Sequence, residues 1–388
     1  MLLQKGDTAA TPILTKPIKQ SGRIQTPRGS IDQSRLIGRG IRDVVSTNKK
    51  VEYRIHQPSL AEYVTLSPRI VTPIYPADAN LIVSLLDLHP EVPTPDENDT
   101  KLEIFEAGTG HGALTLHLAR AIHGANPPAP SLPTTPSSQG PLAEPSPKCM
   151  VKPELPTSEP VLDGPSTTPP DDAAEKEYGR YLSTRRAVIN TLDISASNTS
   201  HARHVVRSFR HGIYYHNIDF HVGTIPDYIS SRLEISPVPF LDHAILDLPS
   251  PHSYLDVVGQ ALKPNGSVVV FCPSITQINS CVLRVKEKKL PLLLETVLEV
   301  GAGVGVGGRE WDVRPVKPRA LVKAEAVARR NMVDGGESDP ESDINEETSS
   351  AAEGKEASSG WEMVCRPKVG GRVSGGGFLG LFRSMVQY

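Results

Sequence analysis

Cysteine is scarce in this 388-residue chain. The four present, Cys149, Cys272, Cys281 and Cys365, are scattered without a Cys-x-x-Cys pair or a histidine at ligand spacing. That pattern excludes a zinc ribbon, gives no disulfide framework and suits a reducing compartment. No window of about 18 apolar residues exists, which excludes a membrane-spanning helix. Aromatic residues make up 5% of the chain and hydrophobic residues 38%, low enough at this length that a good fraction of it builds no core. The twelve histidines show no metal spacing, so His201, His204, His211, His216 and His221 read as surface or RNA-facing residues rather than ligands.

Proline is what the chain has in excess. Fourteen of its 36 prolines fall between Pro127 and Pro170, a density that sustains neither helix nor sheet. Residues 125–178 therefore read as a disordered, Pro-rich insertion. A second insertion, at 331–360, is rich in Gly, Ser and Glu. Both are acidic, while the formal net charge of the whole chain is only -3. The remaining, folding part is consequently basic, which suits a polyanionic partner.

Residues 1–70 read as a small β-rich domain with short strands at Thr11 to Thr15, Arg23 to Thr26 and Val51 to Ile55, the last alternating with period two. The first thirty residues hold Lys, Arg, Ser and Thr with one acid, Asp7, as a mitochondrial presequence would. Pro12, Pro17 and Pro27 interrupt the amphipathic helix such a segment needs. From residue 71 to 388 helices and strands alternate. A helix starts at Pro76, a strand covers Lys101 to Ala107, and a helix runs from Ala113 to His123. Beyond the insertion come a strand at Ala187 to Leu192, a helix over 199–211, a strand at His243 to Leu248 and a helix at Tyr254 to Leu262. Ser267 to Cys272 is an apolar strand, Thr276 to Lys288 a helix and Leu292 to Val300 a strand. Two closing strands lie at Trp361 to Arg366 and Gly377 to Met385. Strands joined by crossover helices imply a parallel sheet covered on both faces.

Three segments carry chemistry. In the first, an apolar strand ends in Glu106 and enters Gly108-Thr109-Gly110-His111-Gly112 before a helix beginning at Ala113. Glycines let a backbone approach a ligand closely, and the helix start offers free N–H groups. A dinucleotide fingerprint has its third glycine one residue later, so this spacing favours a sulfonium nucleoside over a nicotinamide cofactor. In the second, Asp193 closes the next strand, where a carboxylate can accept both hydroxyls of a ribose; a solvated acid opening a loop is the plainer reading. In the third, Asp247 leaves a strand at the ligand-binding edge of such sheets and is followed by Pro249 and Pro251, which fix the chain behind it. A rigidly held acid beside a cofactor suits group transfer. Gly301 to Gly308 lacks the Lys-Ser/Thr of a phosphate loop and reads as a linker. Arg309, Arg314, Lys317 and Arg319 around Trp311 form a basic cluster, a solvated face or an RNA contact.

With these segments in view, the chain resembles the tRNA adenine-N1 methyltransferases, in particular the catalytic subunit of the enzyme that modifies a T-loop adenosine, adenine 58. The resemblance rests on Ile74-Tyr-Pro-Ala-Asp78, Glu106-Ala-Gly-Thr-Gly-His-Gly112, Leu246-Asp-Leu-Pro-Ser-Pro251 and Trp311-Asp-Val-Arg314. Met363-Val-Cys-Arg-Pro367 with Gly377-Phe-Leu-Gly-Leu-Phe382 adds the closing strand pair, and Gly6-Asp7 with Gly29-Ser-Ile the start. It implies an α/β, Rossmann-like class I methyltransferase fold with a small N-terminal β-barrel that binds tRNA and leaves little room for a removable presequence. It also implies S-adenosylmethionine as methyl donor, held by Glu106, the run from Gly108 to Ala113, Asp193 and Asp247. Asp247 would be the catalytic residue, with Pro249, Pro251, His252 and Arg314 towards the substrate. A tetramer follows, formed by this chain alone or with a related non-catalytic subunit, in an intracellular setting, nucleus or mitochondrion. The sequence departs from the family pattern at Pro73, Gly223 and His252, and at Asp193, where Asp for Glu keeps the charge and shortens the reach. A non-catalytic tRNA-binding subunit, and at greater distance a nicotinamide oxidoreductase, stay open as alternatives.

Overall fold

The structure, a computed structural model, describes residues 1–5, 12–90, 101–130, 170–301, 309–319, 321–324, 326–327, 362–367 and 377–385. At the N-terminus lie β1 (Leu2–Gln4), the hairpin of β2 (Arg23–Thr26) and β3 (Gly29–Asp32), then β4 (Val44–Ser46) and β5 (Glu52–Ile55). They form two small antiparallel sheets, β1-β5-β4 and β2-β3, where the sequence predicts a small barrel. Leu2, Ile31, Val45 and Tyr53 make their common core. Ile13, expected in a strand, makes only an isolated bridge to Leu2, and Thr11 lies outside the described residues.

α1 (Leu60–Leu66) opens with a capping box between Ser59 and Glu62, which satisfies N–H groups that a helix start leaves free. Its Leu60, Tyr63 and Val64 are buried in the core of the large sheet rather than that of the N-terminal strands. The Tyr63 hydroxyl donates to the Val205 carbonyl at 2.8 Å. α2 (Pro76–Leu86) carries Pro at its first position, where a missing N–H costs nothing. The alternation that follows is β6 (Leu102–Ala107), α3 (Ala113–Ile122), α4 (Pro170–Thr184), β7 (Ala187–Asp193), α5 (Ala196–Ser208), β8 (Ile218–Val222), α6 (Ile225–Ile235), β9 (Leu241–Leu246), α7 (Leu255–Ala261), β10 (Leu262–Cys272), α8 (Ile275–Glu287), β11 (Leu292–Val300), β12 (Arg309–Val316), β13 (Glu362–Pro367) and β14 (Gly377–Ser384).

One nine-stranded sheet holds them in the order β13-β12-β11-β14-β10-β9-β6-β7-β8. The pairs from β10 to β8 are parallel, whereas β14 is antiparallel to both its neighbours. Helices cover both faces, so the middle parallel strands are buried on both sides; every residue of β7 is buried. The chain order reverses between β6 and β9, the place where open α/β sheets form a crevice at the carboxyl ends of their strands. Among the described residues no helix is long and apolar enough to cross a membrane.

The structure differs from the expectations in several places. α4 begins at Pro170, so the last part of the stretch predicted as a disordered insertion is helical; proline at a helix start opposes no hydrogen bond. Residues 131–169, 331–360 and 302–308 lie outside the described residues. The helix expected over 199–211 ends at Ser208, because Arg210 and His211 turn left-handed. β8 and α6, absent from the prediction, complete the parallel half. β8 hides its signal because Asp219 and His221 interrupt its apolar run, Asp219 being tied to Arg185.

The long connection between α3 and β7 is closed by one side chain. Asn126 accepts from the N–H groups of Arg186 and Ala187 at 2.8 and 2.9 Å, and donates to the Ala187 carbonyl and the Asn217 side chain. Asn217, itself buried, donates on to the Ala119 carbonyl. Chain exit and re-entry are therefore fixed however long the connection is. Asn126→Ala strands two partly buried N–H groups and is expected to cost about 1–3 kcal/mol in urea unfolding; an unchanged midpoint would show that the clasp contributes nothing.

Candidate functional site

The glycine turn after β6 and the acid after β9 meet at the point of strand-order reversal. Gly108 sits at φ +98°, and a Cβ there would fall 2.0 Å from the Asp247 carbonyl oxygen. No side chain fits at that distance, so only glycine lets the two strand ends pass. The Asp247 N–H extends the β6–β9 ladder by donating to the Ala107 carbonyl at 2.9 Å. Gly112, at φ +81°, brings α3 against α5: its missing Cβ would lie 3.1 Å from that of Ala202.

Between these elements lies a cavity of about 510 Å³, bounded on one side by Gly108, Gly110 and Asp193 and on the other by Asp247, Leu248 and Pro249, within the size range of small-molecule sites. Asp193 ties the walls together. One of its oxygens accepts from the Gly110 N–H at 3.0 Å and the other from the Ser195 N–H at 2.8 Å. The Asn198 amide reaches both only at 3.3 and 3.4 Å. An ionised carboxylate has about four acceptor positions, so those covered by Asn198's long contacts are the ones a hydroxyl pair can take. Ile194, Ile225 and Leu248 supply apolar wall, and Gly223 has open space where a side chain would stand.

Three acids share this neighbourhood in different surroundings. Glu106 is fully buried, and burial pushes its pKa up to about 7. The Thr115 hydroxyl donates to it at 2.6 Å, and Thr115 and Thr191 pull the other way. Asp247 is half-buried, and desolvation pushes it up to about 6. Unlike Asp193, its carboxylate has no hydrogen-bond partner among the described residues. Pro251 is buried and begins a short 3-10 turn, while Ser250 is left-handed at φ 55°, a strained non-glycine conformation of the kind that clusters at functional sites.

The residues singled out from sequence separate into two sets. Gly108, Gly110, Asp193, Asp247 and Pro249 line the cavity. Glu106, Thr109, His111, Gly112 and Ala113 stand behind it. Thr109 is buried with its hydroxyl 2.7 Å from that of Thr191. His111 is buried with its Nδ1 3.0 Å from His201 Nε2, and burial lowers it to about 4, which makes it neutral at pH 7. Pro251, His252 and Arg314 do not line the cavity; Arg314 lies on β12, towards the far edge of the sheet. Val71, Thr72, Ile194, Asn198, Thr224 and Tyr254 line it without having been picked out. Only Ile194 and Thr224 carry a sequence signal, their place just past the carboxyl ends of β7 and β8; the others reach the wall through the fold alone.

No family model matches the chain. Two curated tRNA (adenine(58)-N(1))-methyltransferases TrmI, from two strains of Thermus thermophilus, are each 27% identical to it over 296 residues, covering 76% of this chain and 82% of the relative. A solved SAM-dependent O-methyltransferase from Thermotoga maritima superposes with a TM-score of 0.51 at 15% identity, covering 96% of this chain and 88% of that one. The fold is thus the Rossmann-like class I methyltransferase fold, with small antiparallel sheets at its N-terminus.

The raised Glu106 carboxyl makes stability depend on pH. Because its folded value, about 7, lies above its ordinary 4.5, its contribution is complete below about 4.5 and is lost as pH rises through 7. Glu106→Gln cannot ionise, so its melting temperature relative to wild type is expected to rise between pH 5 and pH 8. A difference constant over that range would refute the assignment.

Proposed function

We propose that this chain is an S-adenosylmethionine-dependent methyltransferase that modifies N1 of an adenine in tRNA, as the names of its curated relatives suggest. We further propose that it is a catalytic chain rather than a non-catalytic companion. The observation that carries this is the Asp247 carboxylate: half-buried, without a partner among the described residues, and facing the same cavity as Gly108 and Asp193.

The residues fit such a cofactor. Gly108 and Gly110 leave backbone bare on one wall, Asp193 retains acceptor capacity for a ribose, and Ile194, Ile225 and Leu248 offer apolar surface to a flat ring. S-adenosylmethionine, when bound, supplies a methyl group on a positively charged sulfur. N1 of adenine already has a lone pair, so no strong base is needed. The site must instead hold the base in line and offset the positive charge it acquires. Asp247 accepts from the exocyclic amine and supplies that compensation, and Pro249, Ser250 and Pro251 fix its backbone. N1 lies on the pairing edge, so the nucleotide has to be turned out of its stack to reach the carboxylate. The N-terminal sheets and basic surface hold the tRNA by shape and phosphates. A tetramer, formed with itself or with a related chain, and action on nuclear or mitochondrial tRNA belong to the same proposal.

Calorimetric titration is expected to show S-adenosylmethionine binding; no heat would favour the non-catalytic companion. Asp247→Ala is expected to lower kcat by about 10²–10³-fold, the cost of losing one preorganised electrostatic group, with cofactor affinity changed only a few-fold. Equal loss of both would remove Asp247 from the role. Since Asp247 sits at about 6 and works ionised, kcat/KM should fall as pH drops below about 6. Asp247→Asn should lack that limb.

A further inference from the structure

Between Asp193 and Asp219 the chain contains no acid, yet it carries Arg203, Arg207 and Arg210. Arg203 and Arg207 are exposed and one turn apart on α5, so their side chains share a face. Arg210 follows just past the helix end. Each guanidinium lies over an aromatic ring: Arg203 at 5.3 Å from the centroid of Phe220, Arg207 at 5.8 Å from Tyr215, Arg210 at 5.5 Å from Phe209. None of the three forms a salt bridge among the described residues. The acid on the neighbouring edge strand, Asp219, is already held by Arg185 through two hydrogen bonds of 2.9 and 2.7 Å.

We propose that this row of stacked arginines, along α5 and just past its end, is a docking surface for the phosphate backbone of tRNA, leading away from the cavity along the side of the sheet. The inference rests on the function proposed above. α5 starts at the cavity, where Asn198 lines it. At about 1.5 Å per residue, Arg203 and Arg207 follow roughly 8 and 14 Å farther along, and Arg210 lies just past the helix end. A guanidinium resting on a ring loses little freedom on binding and keeps its N–H donors at its edge, a form suited to phosphate oxygens. An uncompensated cationic row on an exposed face favours a polyanion over an apolar or acid-poor partner. The bidentate Arg185–Asp219 pair keeps the local carboxylate from occupying the row itself.

The test measures tRNA affinity of the full chain at several salt concentrations for wild type, Arg203→Gln/Arg207→Gln and Arg203→Lys/Arg207→Lys, with S-adenosylmethionine titration and thermal melting alongside. The Gln variant is expected to bind tRNA about tenfold more weakly near 0.1 M salt, with a salt slope lower by about two, one per lost phosphate contact. The Lys variant should keep most of the affinity and slope, and cofactor affinity should not move. Unchanged affinity and slope in the Gln variant, with tRNA methylation intact, would overturn the docking surface and leave the proposed function standing. Weaker binding with an unchanged slope and a lowered melting temperature would likewise overturn it, because the arginines would then be covers for their rings. A wild-type chain that binds S-adenosylmethionine but not tRNA would overturn both readings.

Discussion

The site depends on one close approach. The turn after β6 and the first residue beyond β9 come so near that a single methyl group at Gly108 would overlap the Asp247 carbonyl. This contact fixes the glycine turn, the β6–β9 ladder and the position of Asp247 relative to Asp193, because all three hang on the same pair of strand ends. A nine-stranded sheet tolerates variation at its edges; at its reversal point the backbone itself is the constraint. The cavity is therefore a property of the sheet's topology, and the side chains lining it refine what topology has opened.

The three carboxylates show how one crevice assigns different work to the same chemistry. Glu106 is enclosed and braced by threonine hydroxyls, which makes it a buried post under the turn. Asp193 is used up in part by two backbone N–H groups, so it shapes the loop it also lines. Among the described residues Asp247 has neither brace nor clamp. Desolvation without compensation leaves a group that gains most from whatever hydrogen-bond donor or positive charge arrives. That asymmetry, invisible in a list of acids, is why the proposed chemistry is placed on Asp247.

Much of this was legible in sequence, for physical reasons particular to each element. Period and punctuation exposed β6, β7 and β9, and with them α3 and most of α5. Gly108 and Asp247 stood out because a glycine turn and a proline-locked acid at strand ends have few other uses. What sequence could not expose was pairing at a distance. That β14 inserts between β11 and β10, that α1 packs into the large core through Tyr63, and that His111 turns towards His201 are decided by contacts between residues far apart in the chain. The cavity residues Thr72, Ile194 and Tyr254 carry no motif, since backbone position brings them to the wall. α4 was hidden by the composition of the Pro-rich stretch it ends, where proline density outweighed a helix that needs only its first residue to tolerate proline.

The departures from the resembled family's pattern also acquire locations. Gly223 lines the cavity with empty space beside it, yet its N–H still donates to the Asp193 carbonyl at 3.1 Å. The missing side chain therefore alters the wall without loosening the loop. Pro73 directly follows Val71 and Thr72 on the same rim, where a fixed φ can only stiffen the approach. His252 lies beyond the cavity lining, in the short turn after Pro251. Of the four departures, Gly223, Pro73 and Asp193 thus fall on the walls and rim and His252 behind them, while the close approach at Gly108 and the uncompensated carboxylate of Asp247 are intact. In the proposed reaction, grip on the cofactor's ring and stabilisation of the charged base are separate demands. Variation at Gly223 bears on the first and leaves the second to Asp247.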